Sequence, residues 1–293
     1  MKHNNPHLKT KNASKFFGLV FLCLYSVFCL AEKQDKDLIE FLALKGELTQ
    51  GSAIIGQIPN DSTLQVNDKA ILTTESGRFF VGFGRDAELQ QTFHLKMSSG
   101  KEYVDTLSLT KREYKLQKVN GVPQKTVSPN KKYLTRIRNE NALVKKAREI
   151  FSTNTYFLDG FIAPMKGAIT GVYGSQRIYN GTPKWPHYGV DYAGPVGEPV
   201  YAPASGVVSL VHSDMFYSGG TLIIDHGYGV SSSFLHLSEV LVKNGQQIKQ
   251  GDLIAKVGKG GRATGPHLDW RMNWFDVRID PLKVINLSKG TLE

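Results

Sequence analysis

Near the C-terminus the chain reads Gly265-Pro266-His267-Leu268-Asp269-Trp270-Arg271-Met272. After the Gly-Pro turn the residues alternate, which sets His267, Asp269 and Arg271 on one face of a strand and Leu268, Trp270 and Met272 on the other. That is a half-buried strand with a polar, chemically equipped face. Ser231-Ser232-Ser233-Phe234-Leu235-His236-Leu237-Ser238 reads the same way and continues from Asp225-His226-Gly227. In Pro186-His187-Tyr188-Gly189-Val190-Asp191, an extended chain projects His187 and Asp191 to one side with only Gly189 between them. An imidazole and a carboxylate so placed form half of a zinc site. Together with the strand-like runs Val200–Val211, Thr221–Asp225 and Gly251–Val257, these segments predict an all-β domain over 156–293.

Upstream, Ser52–Ile58, Ala70–Thr74, Arg78–Gly84, Gln91–Met97 and Tyr103–Leu109 are short β-type runs between Gly, Asn, Asp and Ser, as in a small antiparallel sandwich or barrel. This region, 32–127, holds no acid/base or metal cluster, and His94 stands alone. Residues 110–128 are polar and basic and read as a connection. A helix is expected from Ser128 as N-cap and Pro129 in the first turn, with Leu134, Ile137, Val144, Ala147 and Phe151 on one face. It forms an amphipathic linker over 128–155, expected to pack on a neighbouring domain. The fold expected is therefore mainly β: a small N-terminal sandwich-like domain, a helical linker and a C-terminal all-β domain.

The chain has 293 residues, 41% of them apolar and 21% charged, which excludes a disordered tail or a multi-span membrane protein. Its net charge is +10. Lys2, Lys9, Lys11 and Lys15 precede the apolar run Phe16–Leu30, and Ala31 ends it before Glu32. The run, about fifteen residues, is short of the roughly twenty that a spanning helix needs, so 1–31 reads as an export signal cleaved after Ala31. If it were retained, it would tether the chain to a membrane. Removal leaves 32 basic and 26 acidic residues, or +6, and no cysteine, since Cys23 and Cys29 lie inside the run. Disulfides and thiolate metal sites are then excluded. A modestly basic surface favours anionic partners without choosing among them.

The motifs His187…Asp191, Ile224-Asp225-His226-Gly227, His236-Leu237-Ser238, Val242-Lys243-Asn244-Gly245…Gly251-Asp252 and Thr264-Gly265-Pro266-His267-Leu268-Asp269 occur in a fixed order. Over residues 165–285 the chain resembles the LytM/lysostaphin-type zinc metallopeptidases, peptidase family M23, which cut cell-wall peptides. The resemblance implies that His187 and Asp191 are zinc ligands and that His236 and His267 are the catalytic histidines. It makes Asp269 the third ligand, where the family carries a histidine. An aspartate oxygen, two bonds from Cβ like a histidine Nδ1, reaches the same point. Two carboxylates beside the ion would cancel its charge and weaken its Lewis acidity.

The resemblance further implies an exported endopeptidase of the periplasm or cell envelope, with Zn²⁺ as cofactor and peptidoglycan, rather than nucleic acid, as partner. Tyr188 and Arg177 are expected at the substrate, Arg177 in either a structural or an orienting role, and Trp185 and Tyr192 as groove-lining or packing residues. His226 is read as structural and His212 as a strand end. Gly258-Lys259-Gly260-Gly261 lacks the Lys-Ser/Thr and following helix of a phosphate loop and reads as a loop beside the site. Two alternatives remain. One is an inactive relative that binds wall or activates an amidase. The other is a lipoyl-type hairpin module, which would not need His187, Asp191 or His267.

Overall fold

The computed structural model describes Leu38 and residues 41–287, so the leader read at 1–31 lies outside the described residues. Residues 42–287 form one compact unit, and it is mainly β. In the first part, β1 (Lys45–Gly46), β2 (Ala53–Gln57), β3 (Thr63–Val66), β4 (Lys69–Ile71), β5 (Arg78–Gly82), β6 (Gln90–Lys96) and β7 (Glu102–Ser108) form two antiparallel sheets, ordered β1-β2-β5 and β4-β3-β6-β7. The alternation in β6 buries Gln91, Phe93 and Leu95 and turns Gln90, Thr92 and Lys96 to solvent, the pattern of a sheet with one wet face.

The connection read over 110–128 contains a strand. β8 (Leu116–Val119) pairs in parallel with β10 (Gln176–Tyr179), and β10 pairs with β11 (Thr182–Pro183). The expected helix start also moves. A short helix α1 (Gln124–Val127) ends at Ser128, whose N–H closes its last turn, and the next helical turn begins three residues later, at Lys131. Asn130 Oδ1 caps a single 3₁₀ turn instead, and α2 runs Leu134–Arg148. Ile137 and Ala147 are buried, and α2 lies on β14 and β15 (below), whereas Leu134 is exposed and Phe151 lies past the helix end against Tyr228.

The remaining strands are β9 (Ile169–Gly171), β12 (Val190–Ala193), β13 (Pro199–Tyr201), β14 (Gly206–Met215), β15 (Gly219–Gly227), β16 (Val230–Val240), β17 (Gln247–Ile248), β18 (Leu253–Val257), β19 (His267–Trp274) and β20 (Val277–Ile279). They make one sheet whose main path is β17-β14-β15-β16-β19-β12-β9, with β13 on β18, β18 on β16 and β20 on β19. A closing helix, α3 (Pro281–Asn286), starts at Asp280, whose carboxylate accepts from Leu282 N–H at 3.0 Å. One face of the sheet carries the core: Val190, Phe234, Leu268, Trp270 and Met272 are fully or almost fully buried, as the alternation predicts. Ala53, Ile55 and Phe80 of the N-terminal sheets belong to the same core, Phe80 meeting Phe157 edge-on at 6.0 Å. The opposite face carries the chemistry.

Candidate metal centre

Antiparallel pairing of β12 with β19 sets Asp191 directly opposite Asp269. Two carboxylates facing each other across a rung repel unless cations hold them. His187, in the loop that enters β12, is fixed by its backbone: its N–H donates to Ser175 O at 2.8 Å and its C=O accepts from Gly174 N–H at 2.7 Å. His187 Nε2 lies 3.0 Å from Asp191 Oδ1 and 3.4 Å from Asp269 Oδ1, and one donor atom from each residue falls within 4.8 Å of the others. All three residues are buried. His187 Nε2 and Asp191 Oδ1 make no aligned hydrogen bond, so buried polar atoms face one another without a partner between them. Ligands at 2.0–2.2 Å in a tetrahedron stand about 3.3–3.6 Å apart, close to the two spacings from His187. The set fits a zinc ion.

Two glycines make the room. A Cβ on Gly171 would sit 2.1 Å from Asp191 Oδ2, and one on Gly189 2.4 Å from Asp269 Oδ1.

Two arginines hold the carboxylates. Arg177 Nη2 donates to Asp191 Oδ2 at 2.7 Å, leaving Oδ1 free. Arg271 forks onto Asp269, Nε to Oδ1 at 2.9 Å and Nη2 to Oδ2 at 2.5 Å. Burial opposes ionisation of both acids, but His187 and Arg177 hold Asp191 below the usual range, and Arg271 and His187 hold Asp269 well below it. Burial lowers the His187 pKa, and the two carboxylates more than reverse it. A metal would displace that proton. Arg177 and Arg271 also offset the two negative charges, so the weakened Lewis acidity expected from a His/Asp/Asp set is countered by the surrounding cations.

His236 and His267 face this triad with ring centroids 4.8 Å apart. His236 Nδ1–H donates to Gly260 O at 2.8 Å and His267 Nδ1–H to Gly265 O at 2.9 Å, which leaves both Nε2 atoms as acceptors. His267 Nε2 is 3.9 Å from Asp191 Oδ1. Burial pushes His236 down to about 4, with His267 and Arg271 adding to the effect of burial. His236 takes a positive φ of 65°, a strained conformation for a histidine, where β15 and β16 shift register between Phe234 and Leu237. The loop at 258–261 is part of the site, since Gly260 orients His236.

A cavity of about 350 Å³ opens over these groups, lined by His236, His267, Asp269, Arg177 and Arg271. Tyr188 lies outside it, against Tyr173 and Arg278, because the alternation that brings His187 toward Asp191 sends Tyr188 away. Trp185 is exposed and Tyr192 is buried in the core. His226 is wholly buried, Nδ1–H on Ser205 O at 2.7 Å and Nε2 accepting from Ser232 Oγ at 2.8 Å. His212 Nδ1 accepts from Asp214 N–H on β14, and His94 pairs with Glu102, both away from the site. Sequence reasoning placed Arg271 on the right face but missed its pairing, and missed Arg148, Arg262 and Arg278, which also line the cavity. These lie on a helix end, a loop and an edge strand with no motif to connect them.

Residues 185–281 match the model of peptidase family M23. Peptidoglycan DD-endopeptidase ShyB of Vibrio cholerae is 41% identical over 98 residues, 33% of this chain and 23% of that protein. ShyA of the same organism, also a peptidoglycan DD-endopeptidase, is 38% identical over 108 residues, 36% of this chain and 25% of that one. DD-carboxypeptidase/endopeptidase Mpg of Neisseria meningitidis is 37% identical over 98 residues, 33% and 22% of the two chains. The match therefore spans about a quarter of the length of these relatives. Among solved structures, a Pseudomonas aeruginosa protein assigned to peptidase M23 superposes with a TM-score of 0.61 at 28% identity, over 81% of this chain and 95% of that one. That likeness reaches beyond residues 185–281.

Proposed function

We propose that this chain, whose residues 185–281 belong to peptidase family M23, is an exported zinc endopeptidase that hydrolyses peptide bonds of peptidoglycan. The observation that carries the reading is the triad of buried, mutually facing donors on His187, Asp191 and Asp269, set beside two histidines that present bare Nε2 atoms. Zinc held by the triad would supply Lewis acidity to a carbonyl and acidify water. The chain's own residues do the rest. His267 Nε2 or His236 Nε2 takes the proton of the attacking water, and the same pair returns it to the departing amine nitrogen. The Nδ1–H bonds to Gly260 O and Gly265 O hold both rings in the tautomer this requires. Arg177 and Arg271 keep the two carboxylates ionised and oriented. Peptidoglycan as the substrate rests on the relatives' activities, and export on the leader.

The test uses the purified chain. Zinc by elemental analysis should approach one per chain, and a cross-linked muropeptide should be cut. His267→Ala should abolish turnover with zinc retained. Asp269→Ala should weaken zinc binding by more than the 10–100-fold of a lost supporting group. The inactive, wall-binding or amidase-activating reading draws on one observation, that Arg271 engages both oxygens of Asp269. It prevails if the parent chain holds no zinc and cuts nothing.

A further inference from the structure

The face that carries the triad continues as a ladder of rungs. Asp269 lies opposite Leu235, Arg271 opposite Ser233, and Asn273 between Ser231 and Arg278. At ~3.4 Å per residue, the second and third rungs stand about 7 and 14 Å from the carboxylates. Arg148, the last residue of α2, reaches over the middle rung and donates from Nη2 to Ser233 Oγ at 3.1 Å, while its Nε is buried without a partner. Arg278 is fixed by Asn273, whose amide oxygen, turned toward it, accepts from Nε at 3.2 Å.

Unlike Arg177 and Arg271, neither makes an ion pair among the described residues. Burial lowers both, Arg278 to about 10, and each is lowered further by Arg271. Half-buried, uncompensated guanidinium groups gathered in one place are costly unless an anion completes them. Both line the cavity that holds His236 and His267, and both line a second cavity of about 660 Å³ beyond it. The groove thus runs from the triad to two guanidinium groups that no carboxylate pairs among the described residues.

We propose that Arg148 and Arg278 form a carboxylate-binding subsite, so that the substrate cut best carries a free carboxylate two to four residues from the scissile bond. This rests on the hydrolase reading above and adds to it a determinant of specificity. The planar forks of two arginines suit a carboxylate's paired oxygens, and an extended peptide spans the 7–14 Å in two to four residues. The carboxylate is either the peptide's C-terminus or an acidic branch.

The experiment compares a cross-linked stem-peptide dimer with forms in which the C-terminal or the branch carboxylate is converted to an amide. One of the two amides should lower kcat/KM of the full chain ~10–100-fold, the range for a charged hydrogen bond, and which one does so identifies the group. Arg148→Gln should impose the same loss on the free acid while leaving the sensitive amide's rate unchanged, and Arg148→Lys should restore part of it. Binding of the same peptides to the full chain in EDTA, followed by calorimetry, reads the subsite without turnover. If the chain cuts nothing but binds the free acid in an Arg148-dependent way, the hydrolase reading falls and the subsite stands. If it cuts acid and amides equally, or if Arg148→Gln slows all substrates alike, the subsite falls.

Discussion

Gly189 does its work by lacking a side chain. A methyl group there would stand 2.4 Å from Asp269 Oδ1 and 2.7 Å from both Arg271 Cγ and Trp270 O. Gly189→Ala should therefore displace the third carboxylate and lower zinc affinity at least ~10-fold, the lower range for disturbing a ligand's support. Gly265→Ala, where a Cβ meets nothing within 4 Å, is the control and should bind zinc as the parent does. A competition titration with a chromophoric chelator reads both, and equal affinities would show that Asp269 is no ligand. The arginines lead to a second expectation. In the metal-free chain Arg271 is what lets Asp269 sit buried opposite Asp191, so Arg271→Gln leaves a buried charge short of a partner, at a cost of about 3–5 kcal/mol. The melting temperature of Arg271→Gln should fall steeply in EDTA and recover with zinc by more than the parent's does. Identical zinc-induced shifts would remove the compensating role. This layer of the site was half legible. Period-two alternation shows that Arg271 shares a face with Asp269, but nothing local connects Arg177 with Asp191, because their contact depends on a loop folding back.

At the scale of elements, period-two alternation picks out the core residues of β19 and β16 but not the cover over the other face: β16, expected half-buried, is buried on both faces from Val230 to Leu237. β19 and β16 bury Leu268, Trp270, Met272 and Phe234 as their patterns require. β8 was missed because it is a short edge strand of Leu, Gln, Lys and Val that buries none of them fully, and such a strand has the composition of a linker. The helix starts later than Ser128-Pro129 suggests, because Ser128 ends the short helix before it and the next capping side chain, Asn130, takes the role. His226 ties the elements around the core, linking β15 to Ser205 and to Ser232 of β16. Burial holds it neutral, with its pKa down from the ordinary 6.5 to about 4. The unfolded chain therefore binds a proton below pH 6.5 that the folded chain refuses until about pH 4. Stability is full above that window and is lost as pH falls through it. Between pH 7 and pH 5 the loss from this one group is about 2 kcal/mol. Urea unfolding at the two pH values should show that much less acid sensitivity in His226→Gln than in the parent, and an unchanged pH dependence would mean that the buried ring is not the acid-labile group.

For the molecule as a whole, the N-terminal sheets and the large C-terminal sheet share one core. Ala53, Ile55 and Phe80 share a core with Phe157 and Val230, so cutting the chain at residue 156 would expose that core. The segment from β8 to α1 crosses the cavity rim. Gln117, Val119 and Val122 line the cavity, and Gln117 Oε1 accepts from Arg177 Nε at 3.2 Å. Two side chains hook this strap down: Asn180, whose Nδ2 donates to Val122 O at 2.8 Å, and Lys184, whose Nζ donates to Val127 O at 2.6 Å. Asn180 has a positive φ of 48°, which glycine adopts freely, so Asn180→Gly removes the hook without straining the turn. Combined with Lys184→Ala it should loosen the strap while leaving the triad and both histidines in place. On the hydrolase reading, a short soluble peptide would reach the cavity without crossing this segment, whereas a strand of intact peptidoglycan would have to lie across the rim. The double variant should therefore digest purified sacculi several-fold faster, change little on the short peptide, and be cleaved more readily by trypsin between residues 112 and 128. An unchanged ratio of sacculus to peptide activity, with the strap shown by proteolysis to be open, would mean that this segment forms a wall of the groove and does not restrict entry to it.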